Sequence, residues 1–262
     1  MFYYPFDPRI HNFGNTGLLG NIHAELAPYF TDLIDLKAYS GRNIRKEITD
    51  ALNPNRNRIL DLCCGVGLST ANNGFGIDTS AEMITKAKKI YREQLFKSYD
   101  NNKMSGNNKI IDKNKNIDKN KMSGNNKIVD DNNFLEFLEN EVKLNRNFMI
   151  ANAENVTIND FSNFHIDFDK FDIVTCMFGF HEMPEFAHHN IVQNAHKLAK
   201  KEIIIVDISP EYESNELMRS GEPYLLDYQN TIQSTLKSYD FTETIYIPKH
   251  VTIWKKSLKY FL

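Results

Sequence analysis

Apolar positions along this chain repeat with two periods. Residues 21–38 read as a helix, with Pro28 placed to break or kink it. Ile44, Ile48 and Leu52 recur at i, i+4 and i+8, the stripe of a helix that stops before Pro54. Residues 58–62 follow as a short apolar strand. Thr79-Ser-Ala-Glu82 has the form of a capping box and opens a helix with Met83, Ile84, Ala87 and Tyr91 on one side. Phe134, Leu135, Leu138 and Val142 make another helical face. Strands are predicted at 148–151, 172–178 and 202–208, with a helix at 185–200 between the last two. A further helix at 224–239 precedes two closing strands, 241–247 and 251–255, joined by Pro248-Lys-His250. Repeated alternation of strand and helix predicts a parallel sheet covered on both faces. Such sheets bind ligands at the carboxyl ends of their strands, so the chemistry is sought there.

One stretch has neither period. Residues 101–133 hold 11 Asn and 7 Lys and carry a direct repeat, Lys103-Met-Ser-Gly-Asn-Asn-Lys-Ile110 recurring at 121–128. Burial of so few apolar groups cannot offset the entropy of ordering the segment, so it reads as a disordered insertion. The chain as a whole has 31 Asn and 23 Lys against 8 Arg, a bias that reflects AT-rich coding rather than chemistry.

The rest of the composition mostly excludes. A chain of 262 residues with net charge −3 fits one large domain and gives no electrostatic reason to expect nucleic acid or an anionic membrane. No apolar run approaches the ~18 residues of a membrane span, and no signal peptide is expected. Three cysteines, two of them adjacent, are no disulfide framework and point to a reducing, cytoplasmic home.

Chemistry concentrates after the first strand, in Asp61-Leu-Cys-Cys-Gly65-Val-Gly67-Leu-Ser-Thr70. Glycines in a strand-to-helix turn let backbone approach a ligand closely. The acid precedes the glycines, which separates this loop from the dinucleotide pattern and excludes a nicotinamide enzyme. A carboxylate there attracts an ammonium or sulfonium group. Asp78, in Gly76-Ile-Asp-Thr-Ser80 at the end of a second strand, can accept hydrogen bonds from two ribose hydroxyls.

These motifs resemble those of class I S-adenosylmethionine-dependent methyltransferases, the small-molecule group that includes the ubiquinone/menaquinone type. Asn152-Ala-Glu-Asn155 is similar to the family's segment after its third strand, and residues 172–178 to its fourth-strand motif. The resemblance spans roughly residues 40–255, interrupted by the insertion. It implies an α/β, Rossmann-like, seven-stranded and mostly parallel sheet with an antiparallel last strand and helices on both faces. Residues 1–40 then form a helical lid, and 41–262 the catalytic domain.

The resemblance also implies S-adenosylmethionine as cofactor. Gly65 and Gly67 approach its methionine part, Asp61 assists its amino end, and Asp78 with Thr79 holds the ribose. Met83 packs near the adenine, and Asn152, Ala153 and Glu154 border its edge. Cys63 replaces the first motif glycine, and Cys176 lies beside the cofactor. Tyr39 and Arg42 are candidate contacts to its carboxylate. Only ten residues separate Gly67 from Asp78, about six fewer than is usual, so the first helix must be clipped.

On the acceptor side, the fourth strand runs into Gly179-Phe-His181-Glu182-Met-Pro184. His181 has a side chain suited to removing a proton, and Glu182 can orient it or bind a cation. No metal site is expected: a His-Glu-x-x-His zinc motif fails because position 185 is Glu. His188 and His189 are expected to face solvent. Phe178, Tyr224 and His250 are candidate substrate contacts. The implied activity is methyl transfer to a small-molecule O, N, S or C acceptor, by a monomer or homodimer. A protein or RNA methyltransferase and a catalytically silent cofactor-binding scaffold remain the alternatives.

Overall fold

The computed structural model describes residues 16–111, 146–164 and 166–258, without the side chains of 99–111. Seven strands make one sheet: β1 (Ile59–Leu62), β2 (Phe75–Asp78), β3 (Asn147–Ile150), β4 (Phe171–Met177), β5 (Ala199–Ile208), β6 (Thr242–Ile247) and β7 (Val251–Ser257). Their order is β3-β2-β1-β4-β5-β7-β6. β1 to β5 pair in parallel, while β7 is antiparallel to both β5 and β6. β6 therefore runs in the direction of β1, and the Pro248-Lys-His250 turn lies on the same edge as the loops after β1, β4 and β5. The sheet is Rossmann-like.

Helices cover both faces. The register puts Ile59, Ile173 and Ile204 on one side, where they pack with Ile44 and Ile48 of helix α2 (Ile44–Ala51). Helix α3 (Ala81–Ile111) lies on that face too, with Ile84 and Ala87 against Phe148. Leu60, Val174 and Ile203 point the other way, toward helices α4 (Glu185–Leu198) and α6 (Leu225–Ser238). All seven residues of β4 are buried, which is why central strands read as unbroken apolar runs.

Several local expectations change. α1 (Gly17–Ala38) runs through Pro28 without ending, and its exposed side carries Leu18, Leu26, Tyr29 and Phe30. The cap of α3 is Ser80 rather than Thr79: the Met83 amide donates to Ser80 Oγ at 3.1 Å. Glu82 does not close a capping box; its Oε1 accepts the Gly17 amide at 2.7 Å and so ties down the start of α1. α3 continues to Ile111, so the first eleven residues of the proposed insertion are helical. The remainder of that segment, and the expected helix around Phe134–Val142, lie outside the described residues. Between β1 and β2, residues 63–74 contain no helix, as the short Gly67–Asp78 spacing requires. A short helix α5 (Glu216–Gly221) had no apolar stripe to announce it, and none of its residues is buried.

The opposite end of the sheet is tied by charge. Asp172 accepts from Arg58 Nε at 3.0 Å and the Arg58 amide at 2.9 Å, and Lys201 Nζ lies 3.1 Å away. Burial raises the affinity of Asp172 for a proton, but these donors outweigh it and hold the carboxyl down at about 2. The stabilisation is present above the ordinary carboxyl range and is lost as pH falls from about 4 through about 2. Both cations are partly exposed, so Asp172→Asn should cost about 1–2 kcal/mol at neutral pH. Urea denaturation of the two proteins at neutral pH and near pH 2 should show that difference disappear at the lower pH.

Candidate functional site

The loops after β1, β2, β4 and β5 converge at one edge of the sheet, and the sequence-predicted residues gather there unevenly. The β1 loop turns through left-handed backbone at Cys63 (φ 55°), Gly65 (φ 52°) and Gly67 (φ 78°). Such a turn brings the Gly65 amide within 2.9 Å of Asp78 Oδ2. Asp78 Oδ1 accepts the Ser80 amide at 2.9 Å, and the residue is half-buried. Burial raises its pKa, opposed by these amide donors. Thr79 beside it is exposed, and Met83 is buried with Val66 and Ala24 under the loop.

Asp61 is placed differently from the expectation. It is 1% exposed, and its oxygens accept from Ser69 Oγ (2.8 Å), Thr70 Oγ1 (3.0 Å) and Thr175 Oγ1 (3.0 Å). With no helix between β1 and β2, Ser69 and Thr70 fold back over the strand end and take this carboxylate as an internal anchor. Burial raises it to about 6 against the pull of the three hydroxyls.

Cys63 and Cys176 meet between β1 and β4. A Cβ on Gly179 would come within 3.2 Å of Cys63 Cβ and 3.4 Å of Cys176 Sγ, so three small residues share the floor. The hydrogen bond from Cys63 and burial push the Cys176 thiol well above its usual range. All three cysteines are free. After β3, Asn152 Oδ1 accepts the Glu154 amide at 2.8 Å, which shapes the turn. Ala153 is buried, its carbonyl accepting from Asn194 at 3.0 Å. Glu154 turns away to accept from Asn190 on α4 at 2.8 Å.

The turn after β4 is held by a residue that the motif search missed. Asp207, at the end of β5, has no exposed surface. Its Oδ2 accepts the Phe180 amide at 2.7 Å and the His181 amide at 3.3 Å; its Oδ1 accepts the Ile208 amide at 2.7 Å and lies 2.6 Å from His181 Nδ1. Burial alone would lower the pKa of His181, but the charge and hydrogen bond of Asp207 prevail and raise it to about 9. Glu182 is pushed up to about 7 by burial. His188 does not face solvent: it is 1% exposed, stacks on Phe180 and pairs with its carbonyl through Nε2 at 2.6 Å. His189 is part-exposed and contacts the Tyr239 hydroxyl at 3.0 Å.

Aromatic groups form one wall. Phe178, itself left-handed (φ 59°), stacks on Tyr39 at 6.5 Å, and Tyr39 meets the edge of His250 at 6.4 Å. Burial raises Tyr39 to about 12. Tyr224 stands half-buried at the start of α6. Tyr228 is core, donating to the Ile208 carbonyl at 2.6 Å.

Arg42 stays outside. Its guanidinium is 2.6 Å from Glu47 and 3.4 Å from the Tyr246 hydroxyl at the surface. Arg45, one turn further along, enters instead and lies 4.1 Å over the Phe178 ring. Its buried Nη1 has no hydrogen-bond partner, and burial lowers its pKa. Asp35 of α1 is buried nearby, its carboxyl raised by burial. Helical spacing alone could have flagged Arg45 beside the Ile44–Ile48 stripe.

The edge thus combines a glycine loop, an acid at the end of β2, a guanidinium over an aromatic wall and a His–Asp pair, on a Rossmann-like sheet. No family model and no curated protein matches the chain. Solved structures do. Magnesium protoporphyrin IX methyltransferase (ChlM) from Synechocystis PCC 6803, with SAH bound, is 12% identical over 91% of this chain and 87% of that one, with a TM-score of 0.44. A SAM-dependent methyltransferase from Aquifex aeolicus is 12% identical over 90% and 98%, with a TM-score of 0.48. A putative rRNA-methylase from Clostridium thermocellum is 13% identical over 83% and 97%, with a TM-score of 0.44.

The two motif glycines should respond differently to a methyl group. A Cβ on Gly67 would sit 2.7 Å from the Phe148 ring, whereas at Gly65 it meets open space. Both positions are left-handed, which costs about 1–2 kcal/mol for alanine. Gly67→Ala adds overpacking of about 1–3 kcal/mol. Thermal denaturation should therefore show Gly67→Ala to be the less stable variant.

Proposed function

We propose that this chain is an S-adenosylmethionine-dependent methyltransferase acting on a small-molecule acceptor. The observation that carries the reading is the Gly65–Asp78 contact, which sets a close-approach backbone loop beside a ribose-binding acid on a sheet of this strand order. Asp78 retains lone pairs for two hydroxyls, since its Oδ2 accepts the Gly65 amide, its Oδ1 accepts the Ser80 amide, and each carboxylate oxygen can accept more than one bond. Arg45, rather than Arg42, anchors the cofactor's carboxylate: a buried guanidinium nitrogen without a partner is costly until an anion meets it. Asn152, Ala153 and Met83 border the adenine, and Cys63, Cys176 and Gly179 leave room for the methionine arm.

The sulfonium is already activated, so the protein's task is in-line alignment in a dry pocket. Phe178, Tyr39 and His250 supply the apolar wall, and His181 with Glu182 faces the acceptor. α1, apolar on its exposed side and joined to α3 through the Gly17–Glu82 contact, serves as part of a cover. No described helix is long and apolar enough to cross a membrane.

Calorimetry with S-adenosylmethionine tests the reading, and absence of affinity in the folded protein overturns it. Arg45→Met should weaken cofactor binding at least tenfold, the worth of a charge-assisted bond of about 1.5–3 kcal/mol, while Arg42→Met leaves it unchanged. A metabolite screen with methyl-labelled cofactor identifies the acceptor. With that acceptor, His181→Ala should lower kcat and leave cofactor affinity intact.

A further inference from the structure

We propose that His181, Glu182 and Glu222 form a binding site for one divalent transition-metal ion. One ligand atom from each residue lies within 4.8 Å of the other two. Donors sharing an ion at about 2.0–2.3 Å stand at most about 4–4.6 Å apart, so small side-chain rotations bring the three onto a common centre. They come from two segments far apart in sequence: the turn after β4, and the cap residue that follows α5. No spacing motif could have shown them together.

The histidine is prepared as a ligand. It is 7% exposed, and its Nδ1 is fixed 2.6 Å from Asp207 Oδ1. That leaves Nε2, which makes no hydrogen bond to a described residue, as the free donor. A carboxylate on one imidazole nitrogen sets the orientation and basicity of the other, the usual support for a metal-bound histidine.

Charge calls for the same occupant. Glu182, Glu222 and Asp207 all act on the one imidazole. Arg45 acts on Glu182 and Asp207 and offsets one negative charge. Two carboxylates beside one imidazole make a net negative cluster, which suits a cation. One imidazole with two carboxylates suits manganese, zinc or ferrous iron rather than an all-oxygen calcium site. Three protein donors leave positions open for an oxygen of a bound molecule.

The site stands on this geometry whichever reaction the pocket performs. The test uses the full chain, stripped with a chelator and confirmed as folded by circular dichroism. Free Mn2+ is followed by electron paramagnetic resonance, and Zn2+ by calorimetry. Saturable binding of one equivalent is expected, with a rise in Tm that chelator reverses. Glu222→Gln and His181→Asn should each weaken binding at least tenfold. Should His181→Asn fail to fold, Glu222→Gln decides. No saturable binding of either ion at millimolar concentration, or equal binding by the Glu222→Gln protein, overturns the site. S-adenosylmethionine affinity measured in chelator reports on the methyltransferase reading separately, so either proposal can fail while the other stands.

Discussion

A carboxylate with no exposed surface must be met by donors on every side, and Asp207 is the case around which the turn after β4 is built. Removing an ion from water costs several kcal/mol, which only well-aligned hydrogen bonds offset. Those bonds come from the Phe180, His181 and Ile208 amides and from the His181 ring. Three of the four donors belong to the turn that leaves β4. The turn therefore cannot move without stranding a buried charge. Its left-handed entry at Phe178 follows, because the chain must reverse at once to present two successive amides to β5. Phe178 in turn offers its ring to Arg45, so the guanidinium is positioned by the same carboxylate at one remove.

Asp61 plays the matching part in the loop after β1. A β-loop-β crossing without a helix lacks the ladder of amides that would normally stiffen it. Here three hydroxyls on one carboxylate take its place, and the loop returns close enough for Gly76 to need no side chain: a Cβ there would meet Thr70 Oγ1 at 2.8 Å and Cys64 Sγ at 2.9 Å. The shortened connection is thus compensated by polar bonds within the loop, and Asp78 is left to face outward.

Much of this was legible in the sequence, and the exceptions share a cause. The central strands, the order of helices and the loss of the first helix follow from apolar runs and from one ten-residue spacing. The cap of α3 moved by one residue: Ser80 Oγ takes the Met83 amide, while Glu82 takes the distant Gly17 amide and the Ser80 hydroxyl. Arg42 looked available but has Glu47 within reach, while Arg45, which no motif marks, borders the buried stripe of α2. His188 read as solvent-facing until Phe180 supplied both a carbonyl and a ring. Asp207 carries no local signal at all: its imidazole partner is 26 residues away, and only the pairing of β4 with β5 unites them. Periodicity reports which face of an element is buried. It does not report which polar group waits there.

Charge balance links the loops that meet at this edge of the sheet. For a cofactor carrying a sulfonium, as proposed, surrounding carboxylates favour the charged donor over its neutral product. Stabilising a ground-state charge that the transition state disperses slows the transfer. An edge holding Asp78, Asp207, Glu182 and Glu222 would pay that penalty in full if nothing opposed it. Arg45 opposes part of it, and does so from the aromatic wall, where a guanidinium is partly desolvated and its field is strong. A cation among His181, Glu182 and Glu222 would oppose the rest and confine the negative field to the ribose side. The acidic residues then serve placement rather than charge stabilisation, which is what a reaction governed by alignment requires.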